Sequence, residues 1–152
     1  MNFLGTHDTE RIINILGSEQ KVCLAYALLA FLPGLPTIYY GDEVGLTGGG
    51  DPDCRRGMLW DENRQDLDML AYYKRLIAVR KNNSCLTMGD PDEVSASDET
   101  GLVTIRRGNL VILFHGKEGT ISLPEYAGKL ELISGQRFDG RLDAYQAAVI
   151  EL

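Results

Sequence analysis

The hydrophobic positions of this chain change period near its middle. In the first half they recur every three or four residues between short apolar runs; in the second half they alternate. Asn2 to Gly5 is a short apolar strand that stops at a Gly5-Thr6 step. Ser18 stands at a helix N-cap position with Glu19 in the first turn. Val22, Ala25, Tyr26, Leu29 and Ala30 follow at helical spacing until Pro33-Gly34 ends the run. Pro36-Thr37-Ile38-Tyr39-Tyr40 is β-branched and aromatic, is bounded by Pro and Gly, and predicts a buried strand. A long polar loop then runs from Gly41 to Arg64, with Gly48-Gly49-Gly50 and Asp51-Pro52-Asp53 inside it. Loops of that length within a compact unit are functional or flexible. Asp66 can cap a second amphipathic helix carrying Leu67, Leu70, Tyr73, Leu76 and Ile77. Strand, helix, strand, helix, with long loops after the strands, predicts an α/β arrangement of two βα units on a parallel sheet.

From about Leu86 the period is two. Leu102 to Arg106 and Leu110 to His115 flank Arg107-Gly108-Asn109, a hairpin signal. Short strands follow at Thr120 to Leu123, Lys129 to Ile133 and Ala147 to Leu152, separated by turns rich in Gly, Pro and Asp. This half predicts a small all-β unit, an antiparallel β-sandwich. The change of period between Asn82 and Leu86 divides the chain into residues 1–84 and 85–152.

Composition and charge act mainly by exclusion. A chain of 152 residues makes one domain or two small ones, and 44% hydrophobic with 24% charged residues is ordinary for a globular protein. The net charge is −7, and no basic run exceeds Arg55-Arg56 or Arg106-Arg107, so a nucleic-acid footprint is absent. The longest apolar run, around Ala25 to Leu35, is broken by Pro33 and Gly34 and is too short to span a bilayer. No secretion signal follows Met1, and the expected location is cytoplasmic. Cys23, Cys54 and Cys85 are odd in number and widely spaced, which implies reduced thiols and no zinc site. No cofactor is called for.

Three segments carry candidate chemistry. His7-Asp8 sits where an α/β fold presents polar groups, at the end of a strand. A carboxylate beside an imidazole there can steady a developing positive charge and hold a hydroxyl; alternatively, Asp8 or Thr9 only caps the next turn. A metal-dependent phosphohydrolase would need more histidines, and His115 is the sole other one. Asp42 and Glu43 follow the second strand, either as an acid/base pair or as structural carboxylates bound to backbone or to an arginine. Adjacent residues at a strand end point apart, which favours the structural role. The glycine-rich loop into Asp51-Pro52-Asp53-Cys54-Arg55-Arg56 suits hydrogen bonds to sugar hydroxyls, or else is a solvated loop with internal ion pairs; it lacks the spacing of a helix-loop-helix calcium site. Among the aromatic residues only Trp60 is kept as a sugar-stacking candidate, with Tyr72 and Tyr73 assigned to the core.

Together these segments resemble the α-amylase superfamily of glycoside hydrolases, most closely its neopullulanase, cyclomaltodextrinase and maltogenic amylase branch. Phe3-Leu4-Gly5-Thr6-His7-Asp8 resembles the end of that family's seventh barrel strand, and Gly34 to Glu43 its eighth strand and exit. Gly50 to Met58 resembles the loop that marks the branch, Tyr72 to Arg80 the eighth helix, and the remainder the C-terminal β-sandwich. The resemblance implies the last two βα units of a (β/α)8 barrel, in an enzyme that cleaves α-1,4-glucosidic bonds with retention. It implies Asp8 as the stabiliser of the transition state, His7 as its partner in substrate binding, and Asp51 and Arg55 as contacts to glucose units. The family's nucleophile and acid/base come from its fourth and fifth strands, which this sequence does not contain. His7-Asp8 also stands so close to Met1 that nothing folded precedes it, so the chain is expected to be the tail of a larger enzyme, inactive alone. Expected partners are an α-glucan and either a second copy or the missing N-terminal part. The competing expectation is a non-catalytic carbohydrate-binding or folding-support module.

Overall fold

Strand β1 (Asn2–Phe3) pairs in parallel with β2 (Pro36–Thr37), in the computed structural model, which describes residues 1–152. Between them lie α1 (Ile12–Leu16) and α2 (Glu19–Phe31). Gly17 closes α1 at φ 66, a left-handed conformation that glycine adopts without penalty. Ser18 holds the extended N-cap conformation of α2, but its side chain bonds no amide of the first turn. The helix stops because Leu32 precedes Pro33 and is forced extended. Its orphan carbonyls meet arginines instead of a glycine cap. Arg80 donates to the carbonyls of Ala30 (2.5 Å), Leu32 (3.3 Å) and Gly34 (2.7 Å), and Arg107 to that of Phe31 (3.3 Å). Cations are favoured at this negative end of the helix dipole.

The expected strand over residues 36–40 is shorter and less buried than its composition suggests. Only Pro36 and Thr37 pair, and Ile38 and Tyr39 are half-buried, because β1 is the single neighbour on which they can register. A 3₁₀ turn, Asp42–Val44, follows and hands the chain to the long loop. Helix α3 (Leu67–Asn82) begins where the Asp66 carboxylate accepts the Met69 amide at 2.8 Å, the cap expected from the sequence. It packs on α2 through Tyr26 and Tyr73, whose rings stack at 3.7 Å and 2°.

A short α4 (Ser84–Thr87) leads into the second half. Strands β3 (Glu93–Ser97), β4 (Leu102–Arg107), β5 (Leu110–His115), β7 (Leu130–Glu131), β8 (Gln136–Arg137) and β10 (Gln146–Glu151) form one antiparallel sheet in the order 3-4-5-10-7-8. β6 (Ile121–Ser122) and β9 (Arg141–Leu142) form a separate two-stranded ribbon. The antiparallel half is therefore layered unequally, six strands against two.

Strand β5 explains the layering. All six of its residues are buried, so it reads as a continuous apolar run rather than an alternating one. Leu110, Ile112 and Phe114 face the helices, in one core cluster with Tyr26, Phe31, Tyr73 and Leu76. Val111 and Leu113 face the ribbon and pack with Leu123, Phe138 and Leu142. Helix α2 is caught between α3 and the sheet, which is why it buries residues on several sides. One core thus runs from the βα half into the antiparallel half.

Candidate functional site

The turn after β1 presents His7 and Asp8. Thr6 and Thr9 shape it: the Thr6 amide donates to Thr9 Oγ1 (2.9 Å), and the Asp8 amide to Thr6 Oγ1 (3.2 Å). Both side chains are left open to water, with Asp8 68% exposed, and His7 Nε2 lies 3.3 Å from Asp8 Oδ2. Three residues on, Arg11 turns the other way and is 1% exposed.

Arg11 joins the three segments that bear the candidate residues. Its Nε donates to the Cys54 carbonyl at 2.8 Å, and its Nη1 to the Tyr40 carbonyl and to Asp42 Oδ1 at 3.2 Å. The guanidinium stacks on the rings of Tyr39 (4.2 Å) and Tyr40 (4.5 Å), and the Arg11 amide donates to the Gly48 carbonyl at 2.9 Å. Of the two readings of Asp42, this places it in the structural one. Burial pushes its carboxyl up to about 6; Arg11 pulls in the opposite direction, and Glu43 adds to the rise. Gly48 sits at the tightest point of the knot. A Cβ there would stand 2.7 Å from the Asp53 carbonyl oxygen and 3.0 Å from Cys54 Cα, so only glycine fits.

The loop is braced within itself as well. The Gly49 amide donates to Asp53 Oδ2 at 2.7 Å, and Arg56 Nε lies 2.6 Å from Asp53 Oδ1. The Gly49 amide, then Arg56, hold the Asp53 carboxyl below its usual range. Tyr40 Oη donates to the Arg56 carbonyl at 2.7 Å. Thus braced, the loop lays its 3₁₀ turn, Asp53–Arg55, against the His7 turn. Cys54 Sγ donates to the His7 carbonyl at 3.2 Å, and Arg55 Nε to the same oxygen at 3.0 Å. Arg55 Nη2 then stands 3.3 Å from Asp8 Oδ1, and its Nε 3.0 Å from Asp51 Oδ1.

The structure therefore brings His7, Asp8, Asp51 and Arg55 together, across 47 residues of sequence between Asp8 and Arg55. Arg55 is the hub, with one carboxylate on each side. The ion pairs are solvent-exposed and contribute at most about 1 kcal/mol each, so their geometry orients rather than stabilises. Trp60 lies on the loop with 83% of its surface open, and the rings of Tyr39 and Tyr40 are occupied by Arg11. Arg11, Gly48 and Cys54, which position the site, carry no local mark in the sequence; Arg11 and Cys54 bond partners 29 to 47 residues away, and the close approach of Gly48 to Asp53 and Cys54 exists only in the folded loop. No group of three or more His, Cys, Asp and Glu side chains is placed to hold a metal ion.

The family description "Alpha amylase, catalytic domain" matches residues 1–66, which end just before α3 and contain every residue of this site. Similarity continues beyond them. The cyclomaltodextrinase of Geobacillus thermopakistaniensis is 37% identical over 147 residues, 90% of this chain and 25% of that protein. The chain belongs to the α-amylase family. Neopullulanase 2 of Thermoactinomyces vulgaris is 36% identical over 151 residues, 92% of this chain and 26% of its own. The crystal structure of a maltogenic amylase from S. marinus superposes on 99% of this α-amylase family chain with a TM-score of 0.88 at 32% identity, using 22% of its own length. The chain spans about a quarter of the length of the curated relatives it matches. No helix is long and apolar enough to cross a membrane.

Proposed function

We propose that this chain forms the C-terminal part of a retaining glycosidase that cleaves α-1,4-glucosidic bonds in maltooligosaccharides, cyclodextrins, pullulan or starch. Residues 1–84 supply the last two βα units of a (β/α)8 barrel, and residues 85–152 a C-terminal β-sandwich joined to them by an apolar interface. Retaining hydrolysis needs a nucleophilic carboxylate and an acid/base about 5 Å apart, with an oxocarbenium-like transition state between them. Both come from the rest of the barrel. Asp8 contributes the third carboxylate, beside the anomeric carbon, where its negative charge is worth most as positive charge develops. His7 and Asp51 hold sugar hydroxyls, and Arg55 both donates to the sugar and holds the two carboxylates apart. The reaction is cytoplasmic and uses no cofactor.

The observation that carries this reading is the convergence of His7, Asp8, Asp51 and Arg55 on one open face. The relatives named cyclomaltodextrinase and neopullulanase give the substrate class its direction. The outer edges of β1 and β2, with Phe3 52% and Leu35 66% exposed, fit pairing with the remaining barrel or self-association. The test is an assay of the purified chain on maltoheptaose and β-cyclodextrin, with binding measured by calorimetry. Expected is binding without hydrolysis, with the binding weakened at least tenfold at this face by Arg55→Ala. Turnover by the chain alone overturns its incompleteness, and affinity at this face that ignores Arg55→Ala overturns the site.

A further inference from the structure

We propose that a second saccharide-binding groove lies between the helices and the sheet and shares no residue with the His7-Asp8 face. A cavity of about 690 Å3 opens there, within the range of small-molecule sites. Its far wall, Glu131, Ser134, Gln146 and Ala147, also borders a second cavity of about 550 Å3, which lies between the sheet and the β6–β9 ribbon and touches no helix.

Tyr145 marks the groove. It is the one non-glycine residue with a positive φ, 57°, in the turn between β9 and β10. Glycine or asparagine would take that conformation readily, and tyrosine costs about 1 kcal/mol there. The ring is nevertheless held in place, with the Lys21 ammonium 5.0 Å from its centroid and its hydroxyl donating to Glu118 Oε1 at 3.0 Å. A strained, anchored aromatic on the wall of a cavity is accounted for by a ligand that uses the ring.

The lining selects the ligand's class. Glu19 and Asp68 offer acceptors, Gln20 and Arg75 donors, and none of the three charged ones is held in an ion pair. Arg75 lies over the Tyr72 ring at 5.7 Å, which holds its guanidinium at the wall of the groove. An anionic ligand meets the carboxylates and a cationic one the guanidiniums. A neutral, hydroxyl-rich chain uses both signs and the Tyr145 ring. That the saccharide is an α-glucan rests on the function proposed above; that the groove takes a saccharide does not.

The test is calorimetry of the full chain with maltoheptaose, and with cellohexaose as a second saccharide, for the parent, Tyr145→Gly and Arg55→Ala. Tyr145→Gly relieves the backbone strain, so its melting temperature should hold or rise while one class of site loses at least tenfold in affinity. Arg55→Ala should remove the other class and leave the groove intact. A groove that binds cellohexaose but not maltoheptaose, in a Tyr145-dependent way, supports the groove and overturns the α-glucan reading. Binding of both saccharides that is unchanged by Tyr145→Gly, or absent in the parent, overturns the groove.

Discussion

Replacing Arg107 with methionine removes a guanidinium that is 2% exposed and donates to four main-chain carbonyls: Phe31 (3.3 Å), Leu86 (3.2 Å), Met88 (3.0 Å) and Gly89 (2.7 Å). No carboxylate pairs with it, and its Nε has no partner. Met88 and Gly89 are exposed, so water can replace the lost donor there. Phe31 and Leu86 are fully buried, and each carbonyl left without a partner costs about 1–3 kcal/mol. Methionine fills much of the volume of the stem, so the cavity cost is small. Relief of the buried, uncompensated charge returns part of the loss. The net expectation is a destabilisation of about 2–4 kcal/mol, which for a chain of this length lowers the melting temperature by roughly 6–12 °C. Arg107→Lys keeps the charge but not the fork, and should fall between the two. The measurement is thermal and urea unfolding followed by far-ultraviolet circular dichroism. A methionine variant as stable as the parent would show that burying the guanidinium costs as much as its four bonds return, and the reasoning would fail.

Two further substitutions probe the knot around Arg11. Gly48→Ala places a Cβ against the main chain of Asp53 and Cys54, so the loop must move; about 1–3 kcal/mol of stability should be lost, together with maltoheptaose affinity at the Arg55 face. An unaltered melting temperature would refute the close approach. Asp42 titrates near 6 when folded and at 3.8 in the reference state, so the folded chain binds that proton more tightly. Its contribution is full below the lower value and is lost as pH rises through the higher one, a change of up to about 3 kcal/mol. Asp42→Asn should flatten the urea midpoint between about pH 4 and 6, and an unchanged slope would remove Asp42 as its source.

What could be read from the sequence is what is encoded locally. The Asp66 cap, the Pro33 stop and the Gly108 hairpin are each written within a few residues, and each stands where the pattern placed it. Helix α1 escaped notice because five residues carry too little periodicity, although Gly17 was its stop signal. Strand β3 escaped because its alternation, Val94 and Ala96 between polar neighbours, is short and weakly apolar; all five residues are exposed on an edge strand that borrows its order from β4. The insertion of β10 between β5 and β7 is a long-range pairing that no local pattern announces. The site divides in the same way. His7 and Asp8 follow from a strand end, whereas Asp51 and Arg55 were reached through resemblance, and the Arg11 knot that seats them is visible only in three dimensions.

The core that crosses from α2 into β5 and β10 has a consequence for how the site can be observed. Site and sheet draw on a single reserve of stability, so a ligand held at Arg55 protects every amide that exchanges only through global opening, by the same RT ln(1 + [L]/Kd). The amide of Val149, buried and donating to Glu131 Oε1 at 3.0 Å, is such a reporter. Deuterium uptake deep in the antiparallel sheet therefore registers sugar bound at the opposite half of the molecule, with no change of shape passing between them.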